Sequence, residues 1–391
     1  MKNRSLFQIY LLSALIYFAQ GIEGLPGLAF FLYLKERLGF SAEKVMYISS
    51  ITGLAWLVKP LWGYLCDNYL TKKILIILSL LGSIIISLYF GLSPILTITI
   101  IICLLSLGNF NAAIRDVATD GVMCVTGKVN DNCDKIQAIQ WVSITIAGII
   151  ASLGGGYLAQ HFSYKLAYIC LIPIYLIILL SVQYFKESRV VIVKKKLLTT
   201  IYSYKELFTN KTFLFACLFI FLYKYSPGFG TPLMYIERDV FHWSAQWMGI
   251  LGAIGAALEI VGAIVFFKYC KKINIKKWLI FSVFMGAATT MLYLYFTPSS
   301  AVIYSIAFSS IGMFVHLIVM AVMAQNTIKG KEATSFALLC SISNLAVTAS
   351  TLSGAFLFPI IGLSPLIILS SLTSFLCLPL IYKNKIGLTE K

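Results

Sequence analysis

The stretch ILIILSLLGSIIISLYFG, residues 74–91, holds no charged side chain, and runs of this kind recur along the chain. A helix needs about 20 apolar residues to cross a hydrocarbon layer, and in lipid every backbone polar group must be satisfied within the segment or its partners. Strands could do this only as a closed barrel, with polar and apolar residues alternating. These runs do not alternate, so they read as transmembrane helices. Composition agrees. With 59% hydrophobic residues, 12% charged and a mean hydropathy of +0.89, the chain lacks the polar surface of a soluble globule, which needs about a quarter charged residues.

Twelve spans are predicted, at residues 7–33, 44–65, 74–91, 95–121, 137–160, 165–184, 213–236, 244–268, 278–296, 300–324, 334–357 and 365–382. The first lacks an Ala-x-Ala-like cleavage site and is kept as a helix. A polar, basic segment follows the sixth span and divides the chain into an N-terminal six-helix bundle, 1–190, a cytoplasmic linker, 191–212, and a C-terminal six-helix bundle, 213–391. The halves repeat in parallel: GFSAEKVMYI after the first span aligns with HWSAQWMGI after the seventh, each behind a charged loop. In such duplicated carriers the substrate is expected between two rocking halves.

Basic residues set the orientation, because short loops rich in Lys and Arg stay cytoplasmic. With the N-terminus inside, the outer segments hold only Lys35, Arg37, Lys44, Lys165 and Arg238, and the other loop cations, such as Lys194, Lys195 and Lys196, fall inside. Both termini are therefore expected in the cytoplasm of a cell membrane, plasma or inner. The net charge of +16 then reflects this bias and attraction to anionic lipid headgroups, not nucleic-acid binding. The nine cysteines include no Cys-x-x-Cys pair, and Cys124 and Cys133 share a loop on the reducing side, so free thiols and no metal site or cofactor are expected.

Charges inside spans cost about 2.5–3.5 kcal/mol each even on a lenient insertion scale. Glu23, Lys59, Arg115, Asp116, Asp120, Lys224 and Glu259 are such charges and imply a watery cavity. At about 1.5 Å per residue, Lys59, Arg115 and Asp116 come out near the cytoplasmic boundary, Lys224 and Glu259 near mid-plane, and Glu23 in the outer half. Asn109, Asp116 and Asp120 share one stripe of the fourth helix, and Asn111 and Arg115 the next. Each group has a plainer reading beside a functional one. The fourth helix either ends by Ala113, leaving its charges in headgroups or in a cytoplasmic latch, or it carries Arg115 and Asp116 into the binding site. Lys224 and Glu259 either form a structural ion pair or bind solute. Glu23 either bonds to broken backbone or takes part in transport. His316, in the tenth span, either packs or functions.

Broken backbone is legible in GIEGLPGLAF (21–30) and YSPGFGTP (225–232), so the first helix of each half is interrupted. Gly148, Gly154, Gly155 and Gly156 in the fifth helix suit close helix packing.

WLVKPLWGYLCDNYLTKK (56–73) resembles the end of the second helix and the following loop of major facilitator superfamily carriers, with Gly63, Asp67, Lys72 and Lys73 at its marked positions. It departs at Asn68 and Leu70, where that loop usually has a basic residue and a glycine. Within the superfamily, LVKPLWGYLCD, RDVATDG, IQWVSITIAGIIASLGGG and FALLCSISNLAVTASTLSGA resemble the folate-biopterin transporter family.

The resemblance implies an all-α membrane protein of the major facilitator type, acting as a monomer and moving folates, pterins or related anions, usually with protons. The residues are compatible with such a solute. Lys59, Arg115 and Lys224 offer cations, Glu23 and Glu259 accept ring donors or protons, Trp56, Tyr223 and Tyr225 offer stacking faces, and Asn111 and Asp116 complete the binding set. Glu23, Asp116 and Glu259 are the proton-coupling candidates, and Gly63, Asp67, Lys72, Lys73 and Asp120 the cytoplasmic gate. A muropeptide-permease-like carrier is the alternative. A membrane enzyme would need a clustered catalytic set, and ATP drive a phosphate-binding Gly-x-x-x-x-Gly-Lys-[Ser/Thr] loop; the sequence contains neither.

Overall fold

A computed structural model of the chain describes residues 2–68, 70–130, 133–185, 207, 209–269, 274–328 and 332–383. Most of the expected linker, 191–212, lies outside these residues, as do the side chains of Asp67, Cys124 and Cys133. Every regular element among the described residues is helical. The N-terminal part runs α1 (Lys2–Ile22), α2 (Gly27–Leu32), α3 (Ala42–Gly53), α4 (Lys59–Asn68), α5 (Lys72–Leu92), α6 (Ile98–Asn130), α7 (Cys133–His161) and α8 (Tyr164–Tyr184). The C-terminal part runs α9 (Lys211–Lys224), α10 (Gly230–Asp239), α11 (Ala245–Tyr269), α12 (Ile275–Leu292), α13 (Pro298–Gln325), α14 (Glu332–Ile361), α15 (Leu363–Thr373) and α16 (Leu378–Tyr382).

Among the described residues ten stretches are long and apolar enough to cross a membrane, the first of them running through a turn at Pro26. The other two predicted spans, 44–65 and 213–236, fall on interrupted helices, which accounts for the difference from twelve. In the second span a 3-10 stretch, Leu54–Val58, joins α3 to α4. Pro60 has no N–H for the carbonyl of Trp56 and its ring crowds that carbonyl, so the α ladder cannot run through. In the seventh, Pro227 does the same to the carbonyl of Tyr223; the chain leaves the helix at Tyr225 (φ −84°, ψ 122°), and α10 begins only at Gly230. In the first, Pro26 ends the ladder and the chain turns through three-residue bonds, Gly24 N–H to Gly21 O at 3.2 Å and Leu25 N–H to Ile22 O at 2.9 Å.

Backbone freed in a membrane must find other partners. At the seventh span α14 supplies them: Ser226 N–H donates to Ser350 Oγ at 3.0 Å and Gly228 N–H to Ser350 O at 2.8 Å. The helix ends are capped by short polar side chains. Asn210 and Asn274 accept from the third residue onward at 3.1 Å, and Thr297 and Ser300 form a reciprocal capping box ahead of Pro298.

The chain forms two compact units: residues 1–39, 61–196 and 244–257, and residues 40–60, 197–243 and 258–391. The first packs α1 against α7 and α5 against α6 and α8, with an aromatic cluster in which Phe90 stacks on Tyr168 at 4.4 Å and meets Phe30 edge-on at 5.3 Å. Glycines let its helices touch: a Cβ on Gly155 would stand 2.6 Å from Leu25 O, and one on Gly156 2.8 Å from the Gly249 Cα. The second unit packs α3 on α14 and has its core around Phe213, Phe219, Val322 and Ile381. The large apolar side chains left outside, such as Ile85, Ile177, Ile264 and Ile360, face where lipid would be. Tyr184 and Tyr295, 78% and 76% exposed at helix ends, suit the headgroup level. The chain is a multi-pass integral membrane protein.

Candidate functional site

The fourth span is one helix, α6, continuous to Asn130. The reading in which it ends by Ala113 is therefore overturned: Arg115 lies in mid-helix, about 22 Å from the Asn130 end at 1.5 Å per residue. It is 1% exposed and the largest fully buried side chain among the described residues.

Its guanidinium forms an ion pair with Glu23, which stands where the first span breaks. This also corrects the two-layer depth assignment. That assignment put Glu23 and Arg115 in opposite halves of the membrane because it ended α6 too early. The plainer reading of Glu23, a bond to broken backbone, gives way to side-chain partners. Arg115 also donates to Ser83 Oγ at 3.1 Å, Tyr175 Oη donates to Glu23 Oε1 at 3.0 Å, and the Arg115 guanidinium sits 6.0 Å from the Tyr175 ring centroid. Four helical segments thus converge on one pair. The short Ser83 leaves room for the guanidinium, and the break at Glu23 frees the carboxylate from the α1 face.

One turn along α6, Asp120 accepts from Tyr17 Oη at 2.8 Å and from Gln140 Nε2 at 3.5 Å, tying α1, α6 and α7 together. Asp116, between the two clusters, is 6% exposed, and Tyr17 also reaches it. Asn111 packs its amide against α5, where a Cβ on Gly82 would meet Nδ2 at 2.6 Å.

The expected gate residues are partly placed. Lys72 is buried and lays its chain over Gly121, the residue after Asp120. Lys73 donates to the carbonyls of Gln183 at 2.7 Å and Phe185 at 2.8 Å, closing the end of α8, where a cation also suits the helix dipole. A Cβ on Gly63 would lie 4.0 Å from Val117.

In the second unit Lys224 ends α9 at the lip of the seventh-span break. Among the described residues no carboxylate lies within ion-pair distance of it, so the expected Lys224–Glu259 pair is not formed. Glu259 is on α11 and Lys224 is directed to α13, where its Nζ lies 3.3 Å from His316 Nδ1. Ser350 Oγ bonds the Lys224 carbonyl at 3.4 Å. Tyr223 Oη meets Ser282 Oγ at 2.6 Å, and its ring lies 5.4 Å from Phe219. The Tyr225 ring stacks on Phe221 at 5.7 Å. Lys59 Nζ stands 4.8 Å from the Trp56 ring centroid, a cation–π pair inside this unit.

Sequence reasoning missed Ser83, Tyr175, Tyr17, Gln140 and Ser350, single polar residues on otherwise apolar helices with nothing to distinguish them from packing residues. Only Tyr17 shares a span with one of the buried charges, Glu23, and that was the one signal available.

The model of the BT1 family matches residues 20–383. The chain is 23% identical over 400 residues to the folate-biopterin transporter of a Synechocystis strain, covering 93% of this chain and 79% of that one. It is 23% identical over 366 residues to folate transporter 1 of Plasmodium falciparum, covering 87% and 70%. Among solved structures, a D-xylose-proton symporter superposes with a TM-score of 0.78 over 97% of this chain and 98% of that one at 10% identity. The nucleoside transporter NupG does so with a TM-score of 0.71 over 98% and 99% at 16% identity. These likenesses give the fold as that of the major facilitator superfamily, and the match along nearly the whole length places the chain in the BT1 family, the folate-biopterin transporter family of that superfamily.

Proposed function

We propose that the chain is a secondary active transporter that carries a small organic anion of the folate or pterin class across a cell membrane by alternating access, with protons. One observation carries the reading: both helices that open the two halves are interrupted, and each interruption bears a buried or half-buried charge, Glu23 in the first and Lys224 in the second. Interrupted helices with charges at the break are a recurrent way to place ions and substrate inside a membrane. The relatives named for folate and biopterin supply the solute class.

In this reading residues 1–190 and 213–391 act as the two moving halves of a monomer, with both termini cytoplasmic. Trp56, Lys59, Asn111, Asp116, Tyr223 and Glu259 belong to the binding surface with the charges at the breaks. Glu23, Asp116 and Glu259 are available to exchange a proton, and Gly63, Asp67, Lys72, Lys73 and Asp120 work the cytoplasmic gate. The test is uptake by proteoliposomes under an imposed proton gradient, with labelled folate, biopterin and a muropeptide offered separately. Accumulation of folate or biopterin that a protonophore abolishes is expected. Accumulation of the muropeptide alone would move the chain to the alternative substrate class, and no accumulation of any of the three would overturn the reading.

A further inference from the structure

Two cations inside the spans, Arg115 and Lys224, are treated differently. Arg115 is neutralised inside its own unit by Glu23, with Ser83 taking a further N–H. Lys224 faces an imidazole, which carries no negative charge to balance it. A half-buried ammonium inside a membrane span without a counter-charge is costly, and the cost falls when an anion arrives. A neutral His316 accepts from the ammonium at Nδ1, which puts its own proton on Nε2. The ring's remaining lone pair, at Nδ1, is then held by the ammonium, so a further proton can enter there only when Lys224 turns to another partner. A carboxylate of the solute is such a partner, so anion and proton favour each other's binding.

The titratable or charged groups on elements packed against α13 are Lys211, Cys217, Tyr223 and Lys224 on α9, Glu259, Lys268 and Tyr269 on α11, Lys276 and Lys277 on α12, and Glu332 and Cys340 on α14. Of these, Tyr223 is bonded to Ser282, and Lys268, Tyr269, Lys276 and Lys277 lie at helix ends. Glu259 is the nearest candidate for a competing proton site, since its neighbour Leu258 accepts from Ser310 on α13, six residues before His316.

We propose that Lys224 and His316 form an anion-plus-proton subsite: the ammonium takes a carboxylate of the solute and the imidazole takes one proton from solution with it. Arg115, already satisfied by Glu23, is then a conformational pair and not the solute's counter-ion. The inference rests on the transporter reading above and names the coupling group within it.

The test is calorimetric binding of folate to the purified full chain in two buffers of different ionisation enthalpy. Wild type should take up about one proton per folate and bind more tightly as pH falls, by up to tenfold per pH unit where that proton is taken up. His316→Gln should still bind folate but lose the proton uptake, and Lys224→Met should lose binding. Proton uptake unchanged in His316→Gln overturns the proposal. Should His316→Gln fail to fold, His316 is left in place and His161 and His242 are changed to Gln. Folate should then protect the one remaining histidine from diethyl pyrocarbonate, and no protection overturns the proposal. Binding with proton uptake but no vesicle transport would sink the transporter reading and leave the subsite standing. Transport with proton uptake independent of His316 would do the reverse, and no folate binding by wild type would overturn the subsite.

Discussion

Replacing Glu23 by Leu should strand Arg115 in a place where water cannot replace the lost carboxylate. Arg115 is 1% exposed and its remaining side-chain bond is the neutral one to Ser83, whereas Glu23 is 24% exposed. Breaking a buried ion pair from one side costs about 3–5 kcal/mol, and Glu23→Leu belongs at the upper end because the stranded group cannot shed its charge. Arg115→Met should cost less, because the stranded Glu23 is partly exposed and keeps the Tyr175 hydroxyl at 3.0 Å. The double variant removes both charges and should recover most of the loss, with a coupling on the order of 2 kcal/mol or more. Thermal denaturation of the detergent-purified protein, followed by the monomer peak in gel filtration, reads this directly. Glu23→Leu should lower the midpoint by on the order of 10 °C and the double variant by far less. Losses that simply add, or a larger loss in Arg115→Met than in Glu23→Leu, would refute the argument from burial.

The fold was legible because lipid leaves a chain few choices. The apolar runs, the helix breaks at Pro26 and Pro227 and the close-packing glycines of the fifth span all rest on local covalent and steric facts, and all appear in the structure. The charge partnerships were not legible, for two physical reasons. A helix end in a membrane protein is not marked by the end of an apolar run. The polar segment 115–130 continues α6 instead of leaving it, and that single error displaced Arg115 from Glu23 in the depth reckoning. In addition, pairing of Lys224 with the carboxylate at similar depth, Glu259, assumed that opposite charges find one another. Which way a side chain leaves its helix decides that, and α9 directs Lys224 to His316 on α13.

Gly249→Val should destabilise the first unit by about 1–3 kcal/mol, because a Cβ there meets Ser152 O at 2.5 Å and the Gly156 Cα at 2.7 Å, both backbone atoms that cannot yield; a thermal midpoint equal to wild type would contradict that contact. In the last turn of α10, beyond the seventh span, burial raises the Glu237 carboxyl from 4.5 to about 7. Stability linked to its protonated form is therefore full below about 4.5 and is lost as pH rises through about 7, so Glu237→Gln should flatten the midpoint-versus-pH curve over that window, and an unchanged curve would exclude the linkage. The last prediction concerns Asp120, where one carboxylate holds Tyr17 of α1 and Gln140 of α7 to α6. Asp120→Asn keeps the shape and one acceptor but removes the charge that strengthens both bonds, so the tie among the three helices weakens without a cavity or clash. If that tie works the cytoplasmic gate, the variant should fold normally yet shift the inward–outward balance, read as altered labelling rates of single cysteines at the two mouths in an otherwise cysteine-free background. Unchanged labelling with normal uptake would mean that the three helices hold together without the charge and that Asp120 serves packing alone.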